Sequence, residues 1–261
     1  MINPGGALVG RQALVTAANT GIGRAVALGL ARSGADVVIH HLNDPLGALE
    51  VSTKISAMGR NAEILELDFS DADATSRAIE AFKAGPAIDI LILNAAIEAR
   101  AEWSVMQAVS IERHFAVNFT APLMLAQALV PPMAGRGWGR VVAMGSILSA
   151  RPRSETLIYA ALKSAQLTAM RAIARTVGAE GVTVNVISPG SILTERSRAK
   201  LSDDAVRAGV EAKIPMGRIG KPEDCVGPVL MLCSDGGGYI TGANIPVDGG
   251  WHIGDAMEVV T

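Results

Sequence analysis

The chain has 261 residues, of which 49% are apolar, 18% are charged and 3% are aromatic. This length and apolar content are enough for a large buried core, and they exclude a disordered protein. The net charge of −2 and the few aromatic side chains predict no nucleic-acid partner, because such proteins present basic patches and stacking platforms.

Neither metal binding nor secretion is expected from the sequence. Cys225 and Cys233 lie eight residues apart without a matching histidine pair, so they predict reduced, buried thiols rather than a metal site or a disulfide. Residues 1–10 lack the basic flank and apolar run of a signal peptide. The apolar stretch 157–177 contains three basic residues, which argues against a membrane span. We therefore expect a cytoplasmic protein without a membrane partner.

The first half of the chain alternates short apolar runs with amphipathic stretches. Four runs have the length and composition of buried strands: 12–17, 36–41, 62–68 and 88–96. The stretches between them predict helices at 21–34, 45–58 and 71–85. Strands that alternate with helices form right-handed βαβ units, so the pattern indicates a parallel sheet.

The alternation continues through the second half without a linker. The predicted order is helix 104–131, strand 140–146, helix 155–178, strand 182–188, helix 222–234 and strand 244–250. Residues 191–214 are polar and charged, which indicates an excursion over the surface. The sequence therefore predicts one α/β domain over residues 1–261, built on a doubly wound parallel sheet of about seven strands.

A glycine-rich turn, VTAANTGIGRA, follows the first strand and opens the first helix. In a parallel sheet this is where the amino end of a helix faces the diphosphate of a dinucleotide. Gly21 and Gly23 allow the backbone to approach a ligand and the helix to approach the strand. The turn therefore predicts a dinucleotide site.

The turn TAANTGIG resembles the T-G-x-x-x-G-I-G turn of the short-chain dehydrogenase/reductase family, whose members have a Rossmann-type fold. The resemblance implies cofactor contacts from five residues: Thr16, Asn19, Gly21, Ile22 and Gly23. Ala17 stands where the family has glycine. A methyl group fits this turn only where φ is negative, so we expect a negative φ at Ala17.

Three further stretches, LELDFSD, LILNAAI and NVISPGSILTE, resemble the same family in the same order. In the family they meet the adenine ring, follow the fourth strand and hold the nicotinamide carboxamide, respectively. Leu93 and Ala96 depart from the family's N-N-A-G pattern. The resemblance implies cofactor contacts from these residues: Asp68, Phe69, Asn94, Ala95, Pro189, Gly190, Ile192 and Thr194.

The second strand ends in IHHLND, with His41 where an acidic residue would select NAD. Histidine can donate to the 2′-phosphate of NADP and no carboxylate repels that phosphate, so this position favours NADP over NAD. The alternative is that His41 packs against adenine, which leaves both nucleotides open. His40 and His41 are adjacent on a strand and point to opposite faces, so they predict no metal site.

Tyr159 and Lys163 are four residues apart in a predicted helix, so their side chains lie on one face. A phenol has a pKa of about 10 and a nearby ammonium lowers it, so the pair suits acid–base catalysis. Ser146 ends the fifth strand, at the sheet edge where such folds bind ligands. The pattern of Ser146, Tyr159 and Lys163 matches the family's catalytic signature, which implies that the serine polarises the substrate oxygen and that Tyr159 and Lys163 also contact the cofactor.

Asn118 is the fourth candidate catalytic residue. Pro122 lies four residues later, where it removes a helical hydrogen bond and crowds the Asn118 carbonyl. We therefore expect a kink that frees this carbonyl to bind a water molecule. By resemblance, that water links Asn118 to Lys163 in a proton relay.

The resemblance implies an NAD(P)-dependent alcohol dehydrogenase or ketoreductase, with a small carbonyl or alcohol substrate and a homotetrameric assembly. Four residues predict an apolar wall for the substrate: Ile97, Trp103, Ile147 and Leu148. Three arginines can bind an acidic group of a substrate: Arg100, Arg151 and Arg153. The alternative is that each of them belongs to the solvated surface, so no acidic substrate is predicted. Sugars, acyl thioesters, steroids and small cyclic ketones all stay open. The tail 251–261 is expected either in the pocket or at a subunit contact.

Two other functions are compatible with the same fold. A non-catalytic nucleotide-sensing or scaffold protein would be expected to lose Ser146, Tyr159 or Lys163, and all three are present. An epimerase or dehydratase of this kind usually needs a larger C-terminal region than this chain supplies. An oxidoreductase is therefore the preferred interpretation.

Overall fold

A single parallel sheet forms the centre of the fold. The computed structural model describes residues 6–257, except for the side chain of Lys200. Seven strands are found over this range: β1 Gln12–Val15, β2 Asp36–His41, β3 Ala62–Glu66, β4 Ile90–Leu93, β5 Gly139–Met144, β6 Val182–Pro189 and β7 Asn244–Val247. Their order is β3-β2-β1-β4-β5-β6-β7, and every neighbouring pair is parallel. This doubly wound order confirms the predicted Rossmann-type class.

Helices cover both faces of the sheet. The described range contains α1 Gly21–Arg32, α2 Pro45–Ala57, α3 Ala72–Ala84, α4 Ala108–Phe115, α5 Ala121–Gly135, α6 Leu157–Val177, α7 Glu195–Leu201, α8 Asp204–Glu211 and α9 Val226–Cys233. One core layer joins α1, α2 and α9 to the sheet, and the other joins α3, α5 and α6 to its opposite face. The excursion predicted at 191–214 contains α7 and α8, and it lies over a third, smaller core around Trp251.

The helix predicted at 104–131 has different ends and an irregular middle. It begins at Ala108, passes through a π-helical turn at Ala116–Thr120 and ends at Gly135. Pro131 and Pro132 do not end it. The carbonyl of Gln127, which Pro131 leaves without a helical donor, belongs to an exposed residue, so water can satisfy it. The helix therefore continues for one more turn than the prolines suggested.

The segment Ala108–Gly135 is the only one in the described range with the length and composition of a membrane-crossing helix. It is more apolar than the stretch 157–177, which was considered above as a membrane span. Leu125, Leu129 and Met133 on this segment are buried in the core layer shared with α3 and α6. Its apolar face thus packs inside the fold.

Both cysteines are free and fully buried, as predicted. Burial raises the pKa of Cys225 and of Cys233 to about 12. Of the tail considered above, residues 258–261 lie outside the described part of the chain, as do residues 1–5 of the amino-terminal stretch.

Candidate active site

A cleft of about 680 Å³ opens at the carboxyl-terminal edge of the sheet, beyond the ends of β1, β4, β5 and β6. Ligands of doubly wound folds bind at this edge, where the strand order reverses. The glycine-rich turn and the loop after β5 line different parts of the cleft, and α7, whose first residue reaches the turn, also lines it. Ser146, Tyr159 and Lys163 line its middle. The cleft therefore joins the predicted dinucleotide turn to the predicted catalytic residues.

Glycine is required at two positions of the turn. Gly21 has φ +53°, a left-handed conformation that few other residues adopt. A Cβ on Gly23 would lie 2.0 Å from the Ala17 carbonyl oxygen and 2.5 Å from Nδ2 of Asn94. No larger side chain fits there, so α1 can approach β1 and β4 closely enough to direct its amino end into the cleft.

The polar atoms of Thr16 and Asn94 bond to the backbone of the turn and of β4. They are therefore not directed into the cleft. The Thr16 hydroxyl donates to the Ile92 carbonyl and accepts from the backbone N–H groups of Asn94 and Ala95, at 2.8–3.1 Å. Nδ2 of Asn94 donates to the carbonyls of Thr16 and Ala17 at 3.0 and 3.1 Å. Both residues were predicted to contact the cofactor; their visible role is to fix the shape of the turn.

Ala17 has φ +51°, which contradicts the negative φ expected from its methyl group. A left-handed alanine costs about 1–2 kcal/mol, so surrounding contacts must impose the conformation. The Ala17 N–H donates to Nδ1 of His40 at 2.9 Å, and its carbonyl accepts from Asn94 at 3.1 Å. Both ends of the residue are therefore held by side chains, and the turn keeps the shape that glycine would give it.

A carboxylate already lies at the anion-binding end of α1. Oε2 of Glu195, the first residue of α7, accepts from the Gly21 N–H at 3.1 Å. A hydrogen bond from Thr20 lowers the pKa of Glu195 most, and the Gly21 N–H lowers it further. This is the electrostatic behaviour expected where helix N–H groups favour an anion. The turn thus fits the diphosphate of a dinucleotide, which would replace Glu195 at Gly21.

The predicted nicotinamide segment lies opposite the turn. Gly190 follows β6, Ile192 is buried and bridges to Gly220, and Thr194 caps α7 in a capping box with Ser197. Pro189, Gly190, Ile192 and Thr194 all line the cleft. Asn19 is turned away from it, since its Nδ2 donates to Asp44 at 2.7 Å.

The end of β2 differs from the arrangement in which His41 binds a phosphate. The His41 side chain is buried, and its Nδ1 accepts from the Asp44 N–H at 3.4 Å. The exposed residues at this point are Leu42 and Asn43. The His41 ring would have to turn outward to donate to a phosphate. The prediction of NADP therefore rests only on Leu42 and Asn43, which carry no carboxylate that would repel the 2′-phosphate.

Asp68 and Phe69, predicted to meet adenine, stand after β3. Oδ1 of Asp68 accepts from the N–H and hydroxyl of Ser70, which lowers the pKa of Asp68. The Phe69 ring is buried and stacks on His40, with 4.3 Å between the ring centroids. Phe69 therefore supports the second strand from beneath the predicted adenine site.

The catalytic side chains come from β5 and α6. Ser146 follows β5, and Tyr159 and Lys163 are buried on one face of α6. Lys163 Nζ donates to the Met144 carbonyl at 2.6 Å and to Oε1 of Gln166 at 3.2 Å, and it lies 5.6 Å from the centre of the Tyr159 ring. Gln166, which the sequence analysis missed, is one turn beyond Lys163.

Burial dominates the electrostatics of this pair, contrary to the expectation that Lys163 lowers the pKa of the tyrosine. Burial raises the pKa of Tyr159 above its ordinary value, and the Arg196 cation opposes that rise only in part. Burial also lowers the pKa of Lys163 to about 7, and the Arg196 cation contributes to this decrease. Tyr159 is thus a protonated phenol at neutral pH, ready to donate its proton to a substrate oxygen.

Asn118 lies within the π-helical turn at Ala116–Thr120 and is fully buried. Its side chain accepts from the Ile97 N–H at 2.9 Å and donates to the Ile97 carbonyl at 2.8 Å. The Ala121 N–H bonds to the Ala116 carbonyl, and Pro122 has no N–H to offer the Asn118 carbonyl. The predicted irregularity is therefore present, in the form of a π turn.

The substrate end of the cleft carries two charged residues, Glu98 and Arg196, that sequence reasoning missed. Oε1 of Glu98 contacts Arg100 at 3.2 Å and its Oε2 contacts Arg196 at 3.4 Å. Arg153 also lines the cleft, and Trp251, which is buried beneath it, contributes an apolar surface. Glu98 and Arg196 are far apart in sequence, so no local pattern announced their contact.

Some predicted wall residues lie elsewhere. Ile147 and Leu148 line the cleft, but Trp103 is 63% exposed in a separate turn. Arg151 donates to the Trp251 carbonyl at 2.7 Å and pairs with Asp255 at 2.8 Å, so it anchors the carboxyl-terminal tail. These contacts leave Arg100 and Arg153, of the three predicted arginines, facing the cleft.

Comparison with known proteins identifies many similar chains. A family model described as enoyl-(acyl carrier protein) reductase matches residues 16–252. An L-rhamnose 1-dehydrogenase (NAD(P)(+)) of Sphingomonas sp. strain SKA58 is 35% identical over 94% of this chain and 98% of its own length. A 2-dehydro-3-deoxy-D-gluconate 5-dehydrogenase of Pseudoalteromonas atlantica is 36% identical over 94% and 96%. The structure of a gluconate 5-dehydrogenase from Burkholderia cenocepacia J2315, in complex with NADP and tartrate, superposes with a TM-score of 0.86 at 31% identity and covers 94% of this chain and 96% of its own.

Proposed function

Because the chain belongs to the short-chain dehydrogenase/reductase family and is an NAD(P)-dependent oxidoreductase, we propose that Tyr159 is the general acid and base of its reaction. The reaction interconverts an alcohol and a carbonyl, and bound NAD(P) supplies or accepts the hydride. The observation that carries the proposal is one cleft that holds Ser146, Tyr159 and Lys163 beside the glycine-rich turn.

In the direction of reduction, Tyr159 donates its phenolic proton to the oxygen of the substrate carbonyl. The raised pKa of Tyr159 keeps this proton on the phenol at neutral pH. The Ser146 hydroxyl holds the same substrate oxygen. In the direction of oxidation Tyr159 accepts a proton, so this direction is expected to be faster at alkaline pH.

Lys163 and Asn118 support the proton transfer. Lys163, whose pKa is lowered to about 7 by burial, can return a proton to Tyr159 without a large energetic cost. The Asn118 carbonyl loses its i+4 donor because Pro122 has no N–H, and it is the acceptor that we assign to a relay water. The Asn118 side chain meanwhile fixes the loop at Ile97.

The decisive experiment compares the two tyrosines of the chain. Tyr159→Phe is expected to lower kcat by about 10²- to 10⁴-fold, the usual contribution of a general acid, with little change in the Kd for NADPH. Tyr239 is fully exposed, and Tyr239→Phe should leave both quantities unchanged. Equal activity of Tyr159→Phe and wild type would refute the assigned role.

NADP is the cofactor that we propose the chain prefers. Support comes from the end of β2, where the exposed Leu42 and Asn43 carry no charge, and from the relative that binds NADP. Fluorescence titration should give a lower Kd for NADPH than for NADH. Leu42→Asp, which places a carboxylate at this point, should weaken NADPH binding more than NADH binding; an equal effect on both would argue against the assignment.

A small hydroxylated acid is the substrate class that the cleft favours. Arg100, Arg153 and Arg196 outnumber Glu98 at its substrate end, and guanidinium groups bind carboxylates well. Relatives named for rhamnose and for a deoxygluconate support a polyhydroxylated substrate. A panel of sugars, sugar acids and acyl thioesters should give the highest kcat/KM for a sugar acid. A higher value for an acyl thioester would favour a carrier-protein substrate instead.

The homotetramer and the cytoplasmic location also belong to the proposal. Val109, Phe115, Leu123 and Leu157, on the surface formed by α4, α5 and α6, expose apolar side chains that an assembly would cover. Light scattering of the purified protein should give the mass of four chains, and cell fractionation should recover it with soluble enzymes. The mass of a single chain would refute the homotetramer, and recovery with membranes would refute the cytoplasmic location.

A further inference from the structure

The left-handed backbone of Ala17 is held by a histidine from the neighbouring strand. The Ala17 N–H donates to Nδ1 of His40 at 2.9 Å, and Asn94 holds the carbonyl of the same residue. Ala17 begins the glycine-rich turn, and it lines the cleft together with Thr20 and Ile22 of the same turn. Whatever fixes the Ala17 conformation therefore fixes the position of the whole turn.

The contacts of His40 define its tautomer. Its Nε2 lies 3.0 Å from the Leu67 carbonyl, which can only accept, so Nε2 carries the proton. Nδ1 is then the unprotonated nitrogen and accepts from Ala17. The ring is almost fully buried and stacks on Phe69 at 4.3 Å between centroids. One imidazole thus connects β3 to the glycine-rich turn in a single orientation.

We infer that His40 is a positioning residue for dinucleotide binding, acting through the Ala17 backbone. The inference rests on the dinucleotide site of the proposed function and adds a residue to it. Glycine adopts a positive φ without strain, whereas alanine needs an external partner to stay there. His40 supplies that partner, and this explains how the chain accommodates alanine at a family glycine.

The inference makes His40 and Ala17 energetically coupled. An asparagine side chain places an acceptor near the position of Nδ1, whereas a glutamine side chain places a donor near the position of Nε2. His40→Asn therefore keeps the bond to Ala17 and loses the bond to Leu67, and His40→Gln does the reverse. If His40 only filled the core, there would be no reason for His40→Gln to weaken dinucleotide binding more than His40→Asn.

The test measures the Kd for NADPH by fluorescence in wild type, His40→Asn and His40→Gln, each with Ala17 and with Ala17→Gly. In the Ala17 background we expect about a tenfold higher Kd for His40→Gln, the loss expected from one hydrogen bond, and less than about a threefold change for His40→Asn. In the Ala17→Gly background the effect of His40→Gln should fall below about threefold. At saturating NADPH the kcat of His40→Gln should be close to that of wild type.

His114 provides a matched control. It is also buried, and it likewise bonds a backbone N–H, that of Ala99, and a carbonyl, that of Ser110. His114→Gln should change the Kd for NADPH by less than about threefold and in the same way in both backgrounds. This control separates loss of a buried histidine from loss of the contact with Ala17.

Each outcome decides the inference. Equal losses for His40→Asn and His40→Gln, or a loss that persists with Ala17→Gly, would overturn it. If His40→Gln folds only when residue 17 is glycine, as circular dichroism would detect, the coupling is supported; failure to fold in both backgrounds would show a packing role instead. If the wild-type protein binds neither NADPH nor NADH, the proposed function is refuted, and the inference about His40 is refuted with it.

Discussion

On the dinucleotide side of the cleft, side chains with little exposure hold the backbone, whereas on the substrate side exposed arginine side chains pair with the mostly buried Glu98. Thr16, His40 and Asn94 bond backbone groups of the glycine-rich turn and its neighbours. Across the cleft, Arg196 meets Glu98 with 60% of its side chain exposed. The dinucleotide side is thus held in one shape that suits the same cofactor in every reaction. Exposed charges on the substrate side can be substituted with little change in the free energy of unfolding.

Gly23→Ala should break the dinucleotide side most severely. Its Cβ would lie 2.0 Å from the Ala17 carbonyl oxygen, so either the turn or α1 must move. We expect the Kd for NADPH to rise by at least about 100-fold, as fluorescence titration would measure. Gly227→Ala, in α9 with no neighbouring atom in the way, is the control. Unchanged binding by Gly23→Ala would contradict the closeness of the turn.

Acid should destabilise the folded protein because His40, which supports the dinucleotide side of the cleft, must then gain a proton. Burial lowers the pKa of His40 from 6.5 to about 4, with His41 and Asp68 as the charged groups that face it. Between these values the unfolded chain binds a proton that the folded chain does not, so stability present above pH 6.5 is lost as the pH falls toward 4. This loss amounts to about 3 kcal/mol at most.

Urea unfolding at pH 7 and pH 4.5 checks this prediction. His40→Asn has no titrating group at this position. Its free energy of unfolding should therefore decrease by about 2 kcal/mol less than that of wild type between the two pH values. Carboxylates with lowered pKa values that do not face His40, such as Asp44 and Asp224, affect both proteins alike. Equal losses in the two proteins would show that His40 does not carry the effect.

Arg196→Met tests whether the substrate side depends on charge. If the substrate is a carboxylate, KM should rise by about tenfold because one charge-assisted hydrogen bond is lost, while the melting temperature stays nearly constant. Arg198→Met, on the same helix but outside the cleft lining, should leave KM unchanged. An unaltered KM for Arg196→Met would indicate a neutral substrate or another anchor.

Glu195→Gln should produce the smallest effect, and in the opposite direction. The Glu195 carboxylate occupies the Gly21 N–H that a diphosphate needs, and the substitution removes its charge. NADPH should bind about threefold more tightly, corresponding to a weak interaction at a helix end. Titration of the variant beside Glu211→Gln measures the difference. Weaker binding by Glu195→Gln would mean that the carboxylate helps rather than competes.

The sequence predicted the sheet, the catalytic side chains and the cleft edge because these follow from local periodicity and from motifs at strand ends. The positive φ of Ala17 was predicted wrongly, since it depends on His40 and Asn94 in other strands. The contact of Glu98 with Arg196 joins residues 98 positions apart, and spacing alone does not reveal it.

The pKa of Tyr159 was also beyond the sequence. An i,i+4 spacing suggested a lysine cation beside the phenol, but the degree of burial around both groups determines their charge, and burial is a property of the whole fold. In the same way, His41 was expected to face a phosphate, and only the tertiary structure shows that its ring is buried against Asp44.

The two buried cysteines make the chain suitable for site-selective labelling. With pKa values raised to about 12, Cys225 and Cys233 have almost no thiolate at neutral pH, and maleimides react with thiolates. A cysteine introduced at an exposed position of α8, such as Val206→Cys, would therefore be the one reactive thiol among the described residues. A dye on that thiol would report whether the excursion at 191–214 moves when ligands bind, without removal of either native cysteine.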